Sequence, residues 1–467
     1  MSDDGSMNRR ELIEAAGLAS VAGLTGLAGC SGDGGDSGDT DTPTDGGGGD
    51  TTTTGGGNGG SEYPELGNFP VEGDTVTLGF NVPQSGAYAS EGNDELKAYR
   101  LAKMHLNNGG GWVDMWDDLS SGGILGKTVE ETTGDTATDA KQASEHAKRM
   151  INRDDAIMIS GGVSSAVAIA QSKVCQQEKV NFMACLTHSN ATQGADCQRY
   201  SFREMHNAYM TGKALAPVLA DEFGSDVSYY QMYADYTWGQ SVRNSMDQFL
   251  KEQGWSNIKN VPTKLGASDF STYMQDVPRD EADVLILTHF GGDAANSMPA
   301  AFSAGLDEDM EIVLPLYDKI AATAAKDNIG GVYGTVDWNW QRDEEYSNAF
   351  TDAFMNEYDS APSYAARLAY TATMQYAAAV ERADTFYPPE VIKELEGHSF
   401  SNTGIGEGRF EACDHQARRD VFVVQGRTPD EQTEDKLLKV VGRTDADTAG
   451  YGCDEGPAAK CELGPYE

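Results

Sequence analysis

From Asp74 onward, short apolar runs take turns with stretches whose apolar residues fall at helical spacing, and few folds accommodate that order. Thr75 to Val82 reads as a strand closed by the turn Pro83-Gln84-Ser85-Gly86, and Glu91 to Asn107 as a helix carrying Leu96, Tyr99, Leu101, Ala102 and Leu106. Thr128 to Thr133 is a second strand. Asp139 to Asn152 is an amphipathic helix with Ala140, Ala143, Ala147 and Met150 on one face, and Ala156 to Ser160 is a short buried strand. Ser164 opens the next helix, and Val180 to Cys185 is another strand.

The rhythm restarts with a strand from Val227 to Tyr233, a helix from Gly239 to Gly254 and a strand from Val261 to Lys264. A helix from Asp269 to Val277, a strand from Val284 to Thr288, a helix from Ala294 to Ala304 and a strand from Glu311 to Pro315 follow. Strands alternating with helices make parallel sheets flanked by helices, so two such runs predict two similar α/β lobes. A long Ala-rich helix from Tyr364 to Ala383 and a late strand from Val421 to Gln425 imply that the chain recrosses between the lobes, leaving a hinged cleft. The predicted division is 74–208 with 337–405 for lobe 1, 209–336 with 406–445 for lobe 2, and a tail over 446–467.

The first 62 residues have a different character. Asn8-Arg9-Arg10-Glu11-Leu12-Ile13 opens an apolar, Ala/Gly-rich stretch that closes at Leu27-Ala28-Gly29-Cys30. A basic pair, a short greasy segment and small residues before a cysteine read as an export signal over 1–30. A membrane-spanning helix needs ~20 predominantly apolar residues, which this glycine-interrupted segment lacks. The arginine pair resembles a twin-arginine signal, with the general secretory route left open. Leu-Ala-Gly-Cys resembles a lipobox, which implies lipidation of Cys30; an ordinary signal peptide is the alternative. The Gly/Asp/Thr tract over 31–62 has almost no aliphatic or aromatic residue and reads as a disordered tether of roughly 30 Å reach. Together these features predict a protein tethered by lipid to the extracytoplasmic face of the cell membrane.

The 74 acidic residues against 34 basic ones give a formal charge of −40, which excludes nucleic acid as a sensible partner. The excess is spread along the whole chain, a pattern similar to that of high-salt-adapted (halophilic) proteins, where a short Debye length screens the repulsion. A generic acidic extracellular protein is the blander reading. Of seven cysteines, six remain once Cys30 is assigned to lipid, and an even number outside the cytoplasm implies disulfides. The shortest loops would pair Cys185 with Cys197 and Cys453 with Cys461. No CxxC pair occurs and no histidine has ligand-like spacing to a cysteine, so neither a metal nor a cofactor is expected.

In open α/β sheets ligands bind beyond the carboxyl ends of the strands. Ile159-Ser-Gly-Gly-Val-Ser-Ser165 is such an end, where glycines admit close backbone approach and free N–H groups at a helix start favour an anion. Ser164 and Ser165 either cap that helix or point a hydroxyl outward. Leu186-Thr-His-Ser-Asn190 supplies two hydroxyls and an imidazole; Asn190-Ala191-Thr192 is also a glycosylation sequon, read here as a cleft loop. In the second lobe Asp235-Tyr-Thr-Trp-Gly239, His289-Phe290 and Leu316-Tyr317-Asp318 occupy equivalent strand ends. Aromatic walls with a few oriented polar groups suit a small-molecule pocket, and a carboxylate among them suits an ammonium.

Pro83-Gln-Ser-Gly-Ala-Tyr88-Ala89, Gly122-Gly-Ile-Leu-Gly126, Gly161-Gly-Val-Ser-Ser165, Phe202-Arg203, Asp235-Tyr-Thr-Trp-Gly239 and the helix from Tyr364 occur in an order that resembles the type I periplasmic binding proteins of the leucine/isoleucine/valine-binding family. Receptors for urea and amides are relatives. The resemblance covers about Thr75 to Gly426 and implies a two-lobed clamshell that delivers an amino acid, most simply a branched-chain one, to an ABC transporter permease. It implies that Ser165 (or Ser164), Thr187 and Ser189 grip the ligand carboxylate. Trp238 and Phe290 would close from the other lobe, Tyr88 would line the pocket, and Tyr317 or Asp318 would meet the nitrogen end. A tyrosine in that last place would suit a neutral amide.

Two other classes compete. An extracellular amidohydrolase-type enzyme lacks an HExxH or GxSxG motif here, and His188 and His289 have no evident nucleophile partner, so no catalytic residue is expected. A ligand sensor of the same fold would continue into a membrane helix and signalling domain, and the sequence ends at Glu467.

Overall fold

A computed structural model describes residues 63–433 and 436–467. The predicted export signal, Cys30 and the tether over 31–62 lie outside the described residues.

The chain opens with β1 (Thr75–Val82), α1 (Ala89–Asn108), β2 (Thr128–Asp135), α2 (Ala140–Arg153), β3 (Ala156–Gly161), α3 (Ser165–Glu178), β4 (Asn181–Ala184) and β5 (Ser201–Arg203). These strands form an all-parallel sheet in the order β2-β1-β3-β4-β5. Local chemistry explains the elements. Asp139 caps α2 by accepting the N–H of Gln142, and α2 buries Ala143, Ala147, Met150 and Ile151 along one stripe. Every residue of β3 is buried, as a central parallel strand covered on both faces requires.

The second run is α4 (Ala208–Phe223), β6 (Ser228–Ala234), α5 (Thr237–Glu252), β7 (Ser256–Thr263), α6 (Ser271–Gln275), β8 (Val284–Thr288), α7 (Gly292–Ser303), β9 (Glu311–Leu316), α8 (Lys319–Ala324) and β10 (Tyr333–Val336). The chain then forms α9 (Glu345–Tyr358), α10 (Tyr364–Ala383) and α11 (Pro388–Leu395). From Tyr364 through Val380 every residue of α10 is buried, and its alanines let it pack closely between α1 and α11. A small antiparallel sheet of β11 (Ser399–Phe400), β12 (Gly408–Phe410) and β13 (Ala417–Arg419) follows. Gln416 pairs there with Arg203 at the edge of the first sheet. β14 (Val421–Gly426) and β15 (Leu438–Thr444) complete the second sheet, ordered β15-β14-β10-β9-β8-β6-β7. Its β10-β9-β8-β6-β7 part is parallel, and β14 and β15 add to it antiparallel. Two α/β lobes are therefore present, as the alternation predicts.

The cysteine pairing corrects the sequence expectation. Cys185–Cys197 and Cys453–Cys461 do not form; the bridges are Cys197–Cys461 and Cys413–Cys453. Cys175 and Cys185 are free and buried. Cys185 ends an interior strand and points at the carbonyl of Ala365 on α10 (3.8 Å), so it faces the core and not the loop that carries Cys197. Cys197 is met by the chain's last segment, which includes α12 (Ala446–Ala449). That segment buries Ala449, Tyr451 and Ala458 against Met210 and Ala214 of α4. Further on, Leu463 and Gly464 accept hydrogen bonds from the backbone and side chain of Arg199, and Tyr466 bonds Glu396 at 2.5 Å. It is thus fastened to both lobes. Among the described residues no helix is long and apolar enough to cross a membrane.

Candidate functional site

The carboxyl ends of the two sheets face each other across a cleft, and the first lobe's contribution begins at Gly161 and Gly162, with φ of 135° and 98°. A Cβ on Gly161 would lie 2.2 Å from the carbonyl oxygen of Asn81, so only glycine lets β3 turn here beside β1. Ser164 stands at the N-cap of α3 without capping it through its side chain. Ser165 works inward: its Oγ receives hydrogen bonds from Thr187 Oγ1 (3.1 Å) and from the N–H groups of His188 (3.3 Å) and Ser189 (3.1 Å). It therefore shapes the loop after β4. Arg203 completes that loop by donating to the carbonyls of Thr187 (3.3 Å) and Ser189 (2.7 Å).

Direct bonds join the lobes. Tyr88 and Tyr236 bring their hydroxyls to 2.8 Å, and Ser189 Oγ meets Thr237 Oγ1 (3.1 Å) and Ser241 Oγ (2.9 Å). The indole N–H of Trp238 donates to His188 Nδ1 at 2.9 Å. With Nδ1 accepting, the proton of His188 sits on Nε2 and is given to Thr211 Oγ1 at 2.8 Å. Burial, then the nearby Arg203 charge, hold this imidazole neutral, well below its ordinary pKa. The Asn190 side chain, expected at the ligand, is committed to Ser245 Oγ and the Tyr209 N–H instead.

Phe290 is the centre of an aromatic group drawn from both lobes. Its ring lies 5.8 Å from Tyr88, 6.2 Å from Trp238 and 6.3 Å from Tyr364. His289 turns the other way, bonding Thr263 Oγ1 at 2.9 Å, and burial drives its pKa to about 3. Asp318 follows β9 and caps α8, taking the Ala321 N–H on Oδ1 at 2.8 Å; it is 3 % exposed, and burial raises its pKa to about 6. The hydroxyl of the adjacent Tyr317 is buried without a hydrogen-bond partner, as is that of Tyr364. The residues chosen from the sequence thus gather at one interlobe cleft, with Ser165, Thr187 and Ser189 bonded within its walls.

Two acids there escaped the sequence reading. Glu91 and Glu95 lie one turn apart on α1, at 1 % and 0 % exposure; neither oxygen of Glu91 has a hydrogen-bond partner, and Glu95 lies against the buried Cys185 thiol with no cation beside it. Their signal was present: at i and i+4 they continue the stripe of Ala98 and Ala102, which faces the core. Beneath the cleft, Asp337 and Glu204 are buried with Arg367 and Arg419. Arg419 bonds Asp337 Oδ1 at 2.5 Å, and Arg367 reaches Asp337 Oδ2 at 3.2 Å and Glu204 Oε1 at 2.5 Å. Among the described residues, the group closest to a metal-ligand set is Glu411 with Cys413 and Cys453, and its two sulfurs are spent on a disulfide.

The sequence profile described as periplasmic binding protein matches residues 75–432. Leu/Ile/Val-binding protein homolog 7 of Brucella abortus is 25% identical over 256 residues, which are 52% of this chain and 58% of that protein. The match thus spans little more than half of the curated relative. A periplasmic binding protein from Burkholderia mallei superposes with a TM-score of 0.75 at 22% identity, covering 83% of this chain and all of the other. An amino acid ABC transporter substrate-binding protein from Pseudomonas fluorescens gives 0.74 at 21%, covering 84% and 100%. At these identities the two structures show a shared two-lobed fold.

Proposed function

The chain belongs to the periplasmic binding protein family, and on that premise we propose that it is a receptor that captures a small amino compound and delivers it to an ABC transporter permease. The carrying observation is the cleft's polarity. One end offers the Gly161-Gly162 turn and the uncapped Ser164 hydroxyl to a carboxylate, the other offers Asp318 to an ammonium, and Phe290, Trp238 and Tyr88 stand between. A branched-chain or other amino acid has that order of groups. The curated relative bears the name of a Leu/Ile/Val-binding protein, which supports the class. The buried, unpartnered Tyr317 hydroxyl favours a second reading, a urea or short-chain amide receptor. We read the molecule as a binding protein and not an enzyme, since both nitrogens of His188 are engaged and His289 faces Thr263. We further propose that Arg9 and Arg10 direct export, that Cys30 is lipidated on the extracytoplasmic face, and that the charge of −40 is an adaptation to high salt.

Calorimetric titration against leucine, valine, urea and acetamide tests the receptor reading. Asp318→Asn is expected to abolish amino-acid binding, a loss of roughly 2–5 kcal/mol for a buried charge partner, and to leave urea or acetamide binding nearly unchanged. An Asp318→Asn variant that binds leucine like the parent sinks the assignment of the nitrogen end. Release of a Cys30→Ser variant into the medium is the expected result for the anchor; unchanged membrane retention would refute it. A melting temperature that does not change between low and molar salt would refute the high-salt reading.

A further inference from the structure

Asp318 accounts for one ammonium, and the cleft holds a second carboxylate that nothing so far uses. Glu91 sits in the first turn of α1, 1 % exposed, with both oxygens unpartnered. It lies at the lobe–lobe boundary. Gly291, in the loop after β8, has φ of 54°, and a Cβ there would fall 3.0 Å from Glu91 Oε1 and 2.7 Å from the Tyr88 ring. Glycine at 291 is what lets the second lobe close onto this carboxylate. The charged groups that act most strongly on Glu91 are acids: Asp318 across the cleft, and Glu95 and Asp94 on its own helix.

An isolated carboxylate is costly to bury, and proteins keep one buried when a cation accompanies it. This protein supplies such cations elsewhere, setting Arg367 and Arg419 beside Asp337 and Glu204. Near Glu91 it supplies aromatic rings instead, those of Tyr88 and Tyr364, with Phe290 packed against both. Aromatic rings close to a carboxylate suit a protonated nitrogen. The two observations, an unpartnered buried acid and an aromatic wall at the closing surface, are independent.

Resting on the receptor reading above, we propose that the ligand carries a second protonated nitrogen, so that the substrate class is dibasic amino acids, with Glu91 contacting the side-chain nitrogen and Asp318 the α-amino group. Glu91 is then the specificity-determining residue. A neutral side chain of equal length would leave its carboxylate buried and unpaired.

The test is calorimetric titration of the protein with lysine, ornithine, arginine, norleucine and leucine, repeated with Glu91→Gln. At least one of the three dibasic ligands is expected to bind about thirtyfold or more tightly than norleucine, which matches lysine in length without its charge. Glu91→Gln is expected to remove that advantage while norleucine affinity holds or improves. The comparison between ligands uses the unaltered protein, so it stands even if the variant folds poorly. Leucine or norleucine binding as tightly as every dibasic ligand overturns the inference and leaves the receptor reading intact, as does a Glu91→Gln variant that keeps the parental preference. Binding of none of the five overturns both the inference and the amino-acid reading on which it rests.

Discussion

Two groups of buried acids lie within one molecule, and they are treated in opposite ways. Beneath the cleft, Asp337 and Glu204 share Arg367 and Arg419 in bonds of 2.5 to 3.2 Å. At the cleft, Glu91 has no partner and Asp318 has only the N–H groups of its own helix start, while Glu95, one turn along α1, meets the Cys185 thiol and no cation. Burial is nearly complete in both places. A permanently paired charge belongs to the scaffold; an unpaired one is held ready for something that comes and goes. The scaffold group also sits where the chain passes between lobes, since Glu204 follows β5, Asp337 follows β10 and Arg419 precedes β14.

The largest effect is expected from breaking the paired group. Arg419→Met should leave Asp337 with one arginine and lower stability by about 3–5 kcal/mol in urea denaturation. Glu91→Gln, which replaces a buried acid that has no partner, should leave the ligand-free protein as stable or more so. Equal losses in the two variants would erase the distinction drawn here.

A middle-sized effect should follow from pH. Burial raises Glu95 to about 8, Asp293 to about 7 and Asp318 to about 6, and raises Glu91 well above its ordinary 4.5. The folded protein then binds protons that the unfolded chain has released. Stability tied to those protons is complete below the unfolded values, near 4–4.5, and is lost as pH rises through the folded ones. The ligand-free protein should lose stability steadily between about pH 5 and 8, with Glu95→Gln flattening the upper part of the curve. Stability that rises across that window would contradict the picture of unpaired acids.

The smallest effect sharpens the comparison at the cleft itself. Trp238 packs against Phe290 and bonds His188 across the lobes, so Trp238→Ala should weaken ligand binding by about 2 kcal/mol, roughly thirtyfold, in calorimetry. The urea midpoint should move less than in Arg419→Met.

Much of the fold was legible because parallel strands buried on both faces are uninterrupted apolar runs. The bounds of β1, β8 and α10 coincide with those read from sequence, and the other elements read there differ by a few residues at their ends, while α4, α8, α9, α11, β15 and several short strands were not read at all. The elements not foreseen have physical reasons. β5 and β13 are three residues long and β10 four, too short to show a period. α4 contains Pro217, which reads as a break. The edge strand β7 carries exposed Ser256 and Asn257 ahead of the Val261 where an apolar signal starts. At the site, strand-end loops could be located because topology fixes where they lie. Glu91 and Glu95 were passed over because acids on a helix are ordinarily solvated, and only the folded surroundings bury them, Gly291 and Asp318 at Glu91 and the Cys185 thiol at Glu95. The cysteine pairs were out of reach for another reason: loop length orders the candidates, whereas the folded chain joins positions 264 residues apart.

That long bridge acts on the unfolded chain. Cys413–Cys453 lies inside the loop closed by Cys197–Cys461, so the denatured, oxidised chain is a ring with a smaller ring on it, and all of the second sheet's strands fall within the larger one. On a chain-entropy argument a ring of that size lowers the freedom of the unfolded ensemble by the equivalent of about 5 kcal/mol, and the inner ring adds less because part of its closure is already made. A compact denatured state exposes less surface, so the oxidised protein should show a shallower denaturant slope than the reduced one. Part of what keeps the two lobes folded is then a shortage of alternatives, with no native contact to which it can be ascribed.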